Sequence, residues 1–411
     1  RNLRRKRAHF IKFKWSRIMK KIIHGTIFTM TGEVIRDGAV LFDTKIQKIG
    51  TTAELKQDSA EELDVGGTYV YPGLIDAHSH LGMFEDSLGF EGDDGNEDSD
   101  PITPHLRAID AINPFDRCFS DARSAGITTV LTGPGSANPI SGQFAAIKTA
   151  GICIDDMIVK APAAMKFALG ENPKSVYHSK NQSPVTRMGT AALIRETLYK
   201  AKEYQTALRD YEENPEEHDK PEYDIKMESL LDVLDRKIPV KIHAHRADDI
   251  CTAIRLGKEF SLWITVEHAT DAAAVADILK RENIPVQLGP TLTDRSKPEL
   301  KNQSYKTYQL LSDLGIPVSI ITDHPEIPIE HLPLCAALAV KNGMNPEKAM
   351  EALTITAAKN CGIDASVGSI QPDKDADFAI FSKNPLELDC ETLYTFIRGE
   401  IVFQKNKTED V

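Results

Sequence analysis

The spacing of apolar residues divides the chain into β-rich ends and a longer middle region. Near both ends, short runs rich in β-branched and aromatic residues are separated by glycine-containing turns, a pattern typical of β-strands. Between residues 72 and 362, short apolar runs alternate with longer stretches of helical period. The apolar runs predicted as buried strands are GLIDAH, TTVLTG, DMIVK with AAMKF, PVKIHAH, WITVEH, PVQLGP and PVSIITD.

This alternation predicts an α/β fold with a parallel sheet. The length favours a single (β/α)8 TIM barrel over residues 72–362 rather than two doubly wound domains. The β-rich ends, 19–71 and 363–411, are expected to form one small composite β-sandwich domain. Residues 1–18 show no pattern that would pack on a barrel, and we expect them to be a tag or an upstream artefact.

Charge and composition narrow the class of partner. The chain has 49 basic and 61 acidic residues, and eight of the bases lie within the first 18 positions. The remaining acidic body would repel a phosphate backbone, which argues against nucleic acid as a partner. No apolar run is long enough for a membrane span. Six scattered cysteines without a C-x-x-C pair indicate reduced thiols. These features predict a cytoplasmic protein that binds neither nucleic acid nor membrane, and they leave homo-oligomer formation open.

Histidines stand at the end of the first predicted barrel strand. His78 and His80 are two positions apart, so their imidazoles project to the same side of a strand. The carboxyl ends of barrel strands form the rim where active sites lie. Two converging neutral imidazoles are suited to binding Zn²⁺.

The same arrangement recurs at three later strand ends. His243 and His245 close PVKIHAH, His268 closes WITVEH and Asp323 closes PVSIITD. Each residue type is a metal ligand, and each falls where a separate strand reaches the rim. The sequence therefore predicts a metal site built from several strands.

Five motifs together resemble those of the amidohydrolase superfamily, in its imidazolonepropionase-like branch. They are YPGLIDAHSH, the mid-chain HAH, VEH, TDH and the closing VGSIQPDKDADFAIF. The resemblance covers nearly the whole chain after Met19. It implies a (β/α)8 barrel, a composite β-sandwich from both termini, and a hydrolytic site with one or two metals. It also implies which residues hold the metals: His78, His80 and Asp323 the more buried ion, and His243 and His268 the more exposed ion, with His245 on the substrate side.

Members with two metals use a strand-four lysine, carbamylated by CO₂, as a ligand shared by both ions. Lys166 matches that position, with Lys160 as the alternative if the segment is registered differently. An ammonium cannot bind a cation, whereas its carbamate is an anion that can span two metals. The expected cofactors are two divalent ions, foremost Zn, although Mn, Fe or Co would also suit these ligands.

The resemblance implies hydrolysis of a C–N amide or cyclic amide bond in a dipeptide, an N-acyl amino acid or a cyclic amide. Metals lower the pKa of bound water towards neutrality, and Asp323 is expected to accept its proton. His245 is the second catalytic candidate. A mononuclear deaminase is the alternative enzyme, although such enzymes carry a Glu where Arg246 stands. A non-catalytic barrel scaffold is the alternative from another class.

Three further residues are candidates for substrate binding: His105, Arg107 and Gln143. The stretch 84–100 holds eight acids and no base. It follows the first barrel strand directly. It is expected either to be a solvated flexible loop or to overhang the site and favour cationic substrates.

Overall fold

The computed structural model describes residues 18–85 and 89–405. Predictions that concern residues 1–17, 86–88 and 406–411 lie outside the described residues.

Sixteen strands in the described residues form two sheets. The strands are β1 (Lys20–Phe28), β2 (Val34–Phe42), β3 (Ile46–Thr51), β4 (Glu61–Asp64), β5 (Tyr69–Pro72), β6 (Leu74–Ser79), β7 (Ile127–Thr132), β8 (Ile140–Lys148), β9 (Ile158–Ala168), β10 (Val240–Ala244), β11 (Ile264–His268), β12 (Val286–Leu288), β13 (Val318–Ile320), β14 (Phe378–Phe381), β15 (Thr392–Ile397) and β16 (Glu400–Gln404).

Most helices lie between the strands of the middle region. They are α1 (Arg117–Ser124), α2 (Ile154–Met157), α3 (Glu171–Ser179), α4 (Arg187–Glu213), α5 (Ile225–Glu228), α6 (Leu231–Leu234), α7 (Ala247–Phe260), α8 (Ala276–Arg281), α9 (Lys306–Asp313), α10 (Leu332–Lys341), α11 (Pro346–Ala352) and α12 (Ile355–Asn360). Short 3₁₀ helices occupy Gly89–Gly92, Ala108–Asp110, Ala272–Val275, Pro298–Leu300 and Ile329–His331. Among the described helices, none combines the length and apolar character needed to cross a membrane.

Strands β6 to β13 form an eight-stranded sheet in chain order that is nearly closed into a barrel. The first and last strands meet where the backbone N–H of Asp323 donates to the carbonyl of His78 at 3.2 Å. The interior-facing residues of these strands are buried, as the apolar runs predicted.

One strand departs from the predicted (β/α)8 pattern. β8 runs antiparallel to both of its neighbours, β7 and β9. A parallel connection needs a crossover of a dozen or more residues, and the segment 133–139 between β7 and β8 is too short for one. The prediction of an all-parallel barrel is therefore wrong at this strand, whose residues were not among the predicted strands.

The second sheet draws strands from both ends of the chain. Its order is β16-β15-β14-β5-β1-β2-β3, and β4 pairs with β1. The N- and C-terminal parts join where β14 pairs antiparallel with β5. The prediction that residues 19–71 and 363–411 form a two-layered sandwich stays a prediction.

A buried ion cluster joins the barrel to this second sheet. Lys148, at the end of β8, lies 2.8 Å from a carboxylate oxygen of Asp375 and 2.5 Å from one of Asp377. The Lys148 side chain is fully buried, and the two carboxylates are almost so. Buried charges are tolerated when they are paired in this way.

Replacing Lys148 with Met should destabilise the protein, because it leaves Asp375 and Asp377 buried beside each other without their shared cation. Breaking a buried pair from one side typically costs about 3–5 kcal/mol. Urea unfolding followed by circular dichroism measures the change. The control is Lys348→Met, which breaks an exposed pair with Glu351 and should cost only about 0.3–0.5 kcal/mol. Equal stabilities of the two variants would contradict the prediction.

Candidate metal centre

The first set of ligand atoms comes from the two strands that close the barrel. His78 and His80 lie at the end of β6, and Asp323 follows β13. Asp323 Oδ1 is 3.5 Å from His78 Nε2 and 3.3 Å from His80 Nε2. Together these three residues offer ligand atoms within 4.8 Å of one another, close enough to hold a metal ion.

The second set comes from β10 and β11. His243, His245 and His268 also offer ligand atoms within 4.8 Å of one another. The two sets adjoin, since the rings of His78 and His268 are 5.2 Å apart between centroids and His268 Nδ1 is 3.7 Å from Asp323 Oδ2. His245 was expected on the substrate side, and this geometry also gives it the reach of a third nitrogen ligand.

Each imidazole is held at its Nδ1 atom by a neighbouring group. The contacts are His80 to the Gly133 carbonyl (2.7 Å), His268 to the Gly289 carbonyl (2.8 Å), His243 to Ser136 Oγ (2.9 Å), His245 to Thr270 Oγ1 (2.8 Å) and His78 to Glu267 Oε2 (2.7 Å). A carbonyl only accepts hydrogen bonds, so His80 and His268 carry their proton on Nδ1. Their Nε2 atoms therefore present the lone pairs that a metal needs.

Burial also favours the neutral form of four of these histidines, the form that metal ligands must have. Burial lowers the pKa of His78, His243 and His245 well below the usual value, and it lowers the pKa of His268 to about 4. Within the described residues, Nε2 of His243 and Nε2 of His268 have no hydrogen-bond partner. Buried polar atoms are rarely left unpaired in proteins, and a cation between them would satisfy both. The donor set thus fits a metal ion.

Two of these residues adopt a backbone conformation that is rare outside glycine. His268 has φ of 69° and Asp323 has φ of 54°, both in the left-handed region. In this conformation the side chain no longer follows the strand pattern in which successive side chains point to opposite faces. Such strain is concentrated at functional sites, where the surrounding structure holds it in place.

Lys166 lies inside the barrel beside the first ligand set. Its Nζ is 3.0 Å from His78 Nε2, and the residue has no exposed surface. Burial lowers the pKa of Lys166 to about 8. Lys160 lies near the start of the same strand, partly exposed, with its Nζ 3.4 Å from the Lys237 carbonyl. Only Lys166 of these two therefore lies among the ligands.

Asp323 is ionised in this setting. Burial opposes its ionisation, but the interactions with His268, His80 and Lys166 outweigh burial and hold the pKa of Asp323 below its usual value. An ionised carboxylate among neutral imidazoles can bind a cation or accept a proton.

Of the three predicted substrate-binding residues, Gln143 lies on β8, and His105 and Arg107 lie in the segment that hydrogen-bonds to the first part of that strand. The Gln143 backbone N–H donates to the Leu106 carbonyl at 2.8 Å, and Arg107 pairs with Gln143 in a short parallel bridge. Phe144, the next residue on β8, points inward and contacts the ring of His78. No hydrogen bond or ion pair between His105, Arg107 or Gln143 and the histidine clusters is seen in the described part of the chain, and their substrate roles stay predictions.

The acidic stretch 84–100 is anchored where the structure describes it. Asp98 pairs with Lys180 and Asp100 pairs with Lys226, both at 2.6 Å. The stretch also bonds the rim loop after β7, since Asn138 Nδ2 donates to the Glu97 carbonyl at 2.7 Å. These contacts hold much of the stretch against the rim, close to the site.

A pocket of about 740 Å³ opens at the rim next to the second ligand set. Glu299 forms part of its wall, and its Oε1 lies 3.9 Å from Nε2 of both His243 and His245. The pocket is also lined by Arg187 and Arg246 together with other charged groups of both signs. Sequence analysis missed Glu299, because it lies in a loop after β12 and outside any motif.

Other residues missed from the sequence contact the histidines directly. Ser136 and Thr270 lie in rim loops, and Glu267 precedes His268 on β11. Glu267 is part of the VEH motif, so its position next to a ligand was a signal that could have identified it. Ser136 and Thr270 offered no comparable signal, since hydroxyl residues are common in loops.

Comparisons with known proteins identify the family. The Amidohydrolase family profile matches residues 69–402. An amidohydrolase of known structure from Thermotoga maritima MSB8 is 40% identical, with a TM-score of 0.90 over 94% of this chain and 100% of that one. An imidazolonepropionase from Bacillus cytotoxicus is 24% identical over 84% of this chain and 81% of its own length.

A fungal relative extends well beyond the matched region. The amidohydrolase tasK of Hapsidospora irregularis is 29% identical over 90% of this chain, which spans 40% of the length of that relative. The family profile covers most of the present chain, and the Thermotoga maritima amidohydrolase is 40% identical over 94% of it. The chain therefore belongs to the amidohydrolase family.

Proposed function

We propose that the protein is a metal-dependent amidohydrolase that cleaves a C–N amide or cyclic amide bond of a small molecule. The observation that carries this proposal is the meeting of two largely buried sets of ligand atoms at the carboxyl ends of the barrel strands. Dipeptides, N-acyl amino acids and cyclic amides are the substrate classes proposed. The pocket beside Glu299 has room for such molecules.

Two divalent ions fit the ligands present. His78, His80 and Asp323 would hold one ion, His243 and His268 the other, and Lys166 as its carbamate would contact both. When bound, the ions would polarise the scissile carbonyl and lower the pKa of a water molecule. Zinc is the ion we propose, because histidine-rich sets with a carboxylate are typical of zinc hydrolases.

The setting of Lys166 favours its modification. Because the pKa of Lys166 is lowered to about 8, a sizeable fraction of the protein molecules carry this side chain as the neutral amine near neutral pH. Only the neutral amine combines with CO₂; its nitrogen forms the new N–C bond and releases one proton. The carbamate then supplies two oxygen atoms where the ammonium offered none.

Asp323 would move the proton during hydrolysis. Its carboxylate is ionised and lies within 3.7 Å of imidazole nitrogens from both ligand sets. It can accept a proton from the attacking water and transfer it to the leaving nitrogen. His245 would bind the substrate, since its Nε2 faces Glu299 at the wall of the pocket.

The deaminase alternative lacks support at the position that would distinguish it. Arg246 stands where those enzymes carry a Glu, and it forms a bidentate ion pair with Asp248 at the exposed start of α7.

We further propose a cytoplasmic enzyme that acts on small molecules, either alone or as a homo-oligomer.

The purified protein should contain close to two equivalents of divalent metal, measured by elemental analysis. Removal by a chelator should abolish hydrolysis in a screen of dipeptides, N-acyl amino acids and cyclic amides, and added Zn²⁺ or Mn²⁺ should restore it. One equivalent would favour a deaminase, and none would favour a scaffold. A fully loaded protein that hydrolyses no member of the three classes would refute the proposed substrate range.

Lys166→Ala should lower the metal content below two equivalents, because it removes the group shared by both ions. Short-chain carboxylic acids should restore part of the activity by supplying the missing oxygens. The matched control is Lys160→Ala, which changes a lysine on the same strand outside the site and should leave metal content unchanged. Two equivalents in Lys166→Ala would show that this lysine does not bridge the ions.

Asp323→Asn should retain most of its metal but lose turnover, because the amide keeps one ligating oxygen and cannot accept a proton. General-base contributions suggest a fall in kcat of at least about 100-fold. Metal analysis and steady-state kinetics on the same sample measure both effects. Full metal with turnover within a few-fold of the parent would assign proton transfer to another group, with His245 the first to test.

A further inference from the structure

A layer of polar residues lies directly beneath the ligands inside the barrel. Lys241, Glu267 and Gln287 come from the neighbouring strands β10, β11 and β12, and none is more than 1% exposed. Barrel interiors are normally filled by branched aliphatic side chains. Two charged residues in this position are therefore unexpected.

The charged residues of this layer lie at ion-pair distances from one another and from a proposed metal ligand, although Glu267 Oε2 and His78 Nδ1 make no regular hydrogen bond within the described residues. Glu267 Oε2 lies 2.7 Å from His78 Nδ1 and 2.9 Å from Lys241 Nζ. Its other oxygen accepts a hydrogen bond from Thr265 Oγ1 at 2.5 Å. Lys241 Nζ also donates to Gln287 Oε1 at 2.7 Å. The carboxylate thus reaches across the barrel from β11 to β6.

Stability alone does not account for this arrangement. Removing two charges from water is costly, and replacing a buried ion pair with apolar residues of similar volume is often neutral or stabilising. The contact with His78 offers a different reason for the pair. The other ring nitrogen of that imidazole, Nε2, points to Lys166 and Asp323.

We propose that Glu267 and Lys241 are positioning residues for His78. Glu267 Oε2 lies within reach of the His78 Nδ1–H, and accepting a hydrogen bond from it would fix the tautomer whose Nε2 lone pair faces the metal centre. Lys241 holds the Glu267 carboxylate in place and balances its charge. This inference rests on the proposed metal-dependent function and adds two residues that act through a ligand.

The test compares metal affinity in variants that remove the pair without leaving a lone buried charge. Glu267→Leu/Lys241→Met should fold but bind Zn²⁺ about 10–100-fold more weakly, as is typical when a group supporting a ligating histidine is lost. Glu267→Gln/Lys241→Met keeps an oxygen that can accept the Nδ1–H, and it should recover most of the affinity. Competition with a chromophoric chelator measures binding, and thermal unfolding of the metal-free proteins monitors the fold.

A matched control removes an ion pair elsewhere in the molecule. Lys148→Met/Asp377→Asn changes the buried pair at the second sheet, which does not contact the histidines, and it should bind Zn²⁺ as the parent does. A parent protein that binds no metal would refute the proposed function itself. A parent that binds Zn²⁺ with Glu267→Leu/Lys241→Met within threefold of it would overturn only the positioning role.

A second measurement needs no variant and no metal. Nitrogen NMR of the metal-free parent, with ¹⁵N-labelled histidine, reports which ring nitrogen of His78 carries the proton. Protonated Nδ1 and unprotonated Nε2 are expected. The reverse tautomer would overturn the proposal even if both double variants failed to fold.

Discussion

Closure of the barrel sheet between its first and last strands is the constraint on which the site depends. The Asp323 backbone N–H bonds to the His78 carbonyl at 3.2 Å, and the Thr322 hydroxyl donates to Asp76 at 2.5 Å. These bonds bring together ligands from distant parts of the sequence. Opening this seam would separate the Asp323 carboxylate from the His78 and His80 imidazoles without altering any of them.

The histidines are oriented by groups that lie outside their own strands. Gly289 illustrates how closely the backbone is involved: its carbonyl accepts the hydrogen bond of His268. The residue has φ of 138°, and a Cβ atom there would lie 2.3 Å from the Ile321 carbonyl oxygen. A larger residue would push apart β12 and the segment after β13. The ligand geometry is thus prepared by packing before any ion binds.

Much of the site could be predicted from local sequence, because strand ends carry their ligands to one rim. His78, His80, His243, His268 and Asp323 were all identified in this way, and the structure brings them together. Interactions across the barrel could not be predicted. Glu267 meets His78 only because β11 and β6 face each other in three dimensions, a relation that no spacing encodes. The reversed direction of β8 was missed for a local reason, since a run with Gly and Ser after a turn resembles a loop.

The sheet shared by the two chain ends affects how the protein forms. β5 precedes the barrel in the chain and its partner β14 follows it, so Pro72 and Phe378 can pair only after the whole barrel has been synthesised. Until then β5 has an unpaired edge, the kind of surface that promotes association between chains. The aromatic side chains of Phe28 and Tyr71, stacked 4.3 Å apart, lie next to that edge. Slow synthesis of the barrel would therefore prolong a state prone to aggregation, which makes the arrival of β14 a determinant of yield.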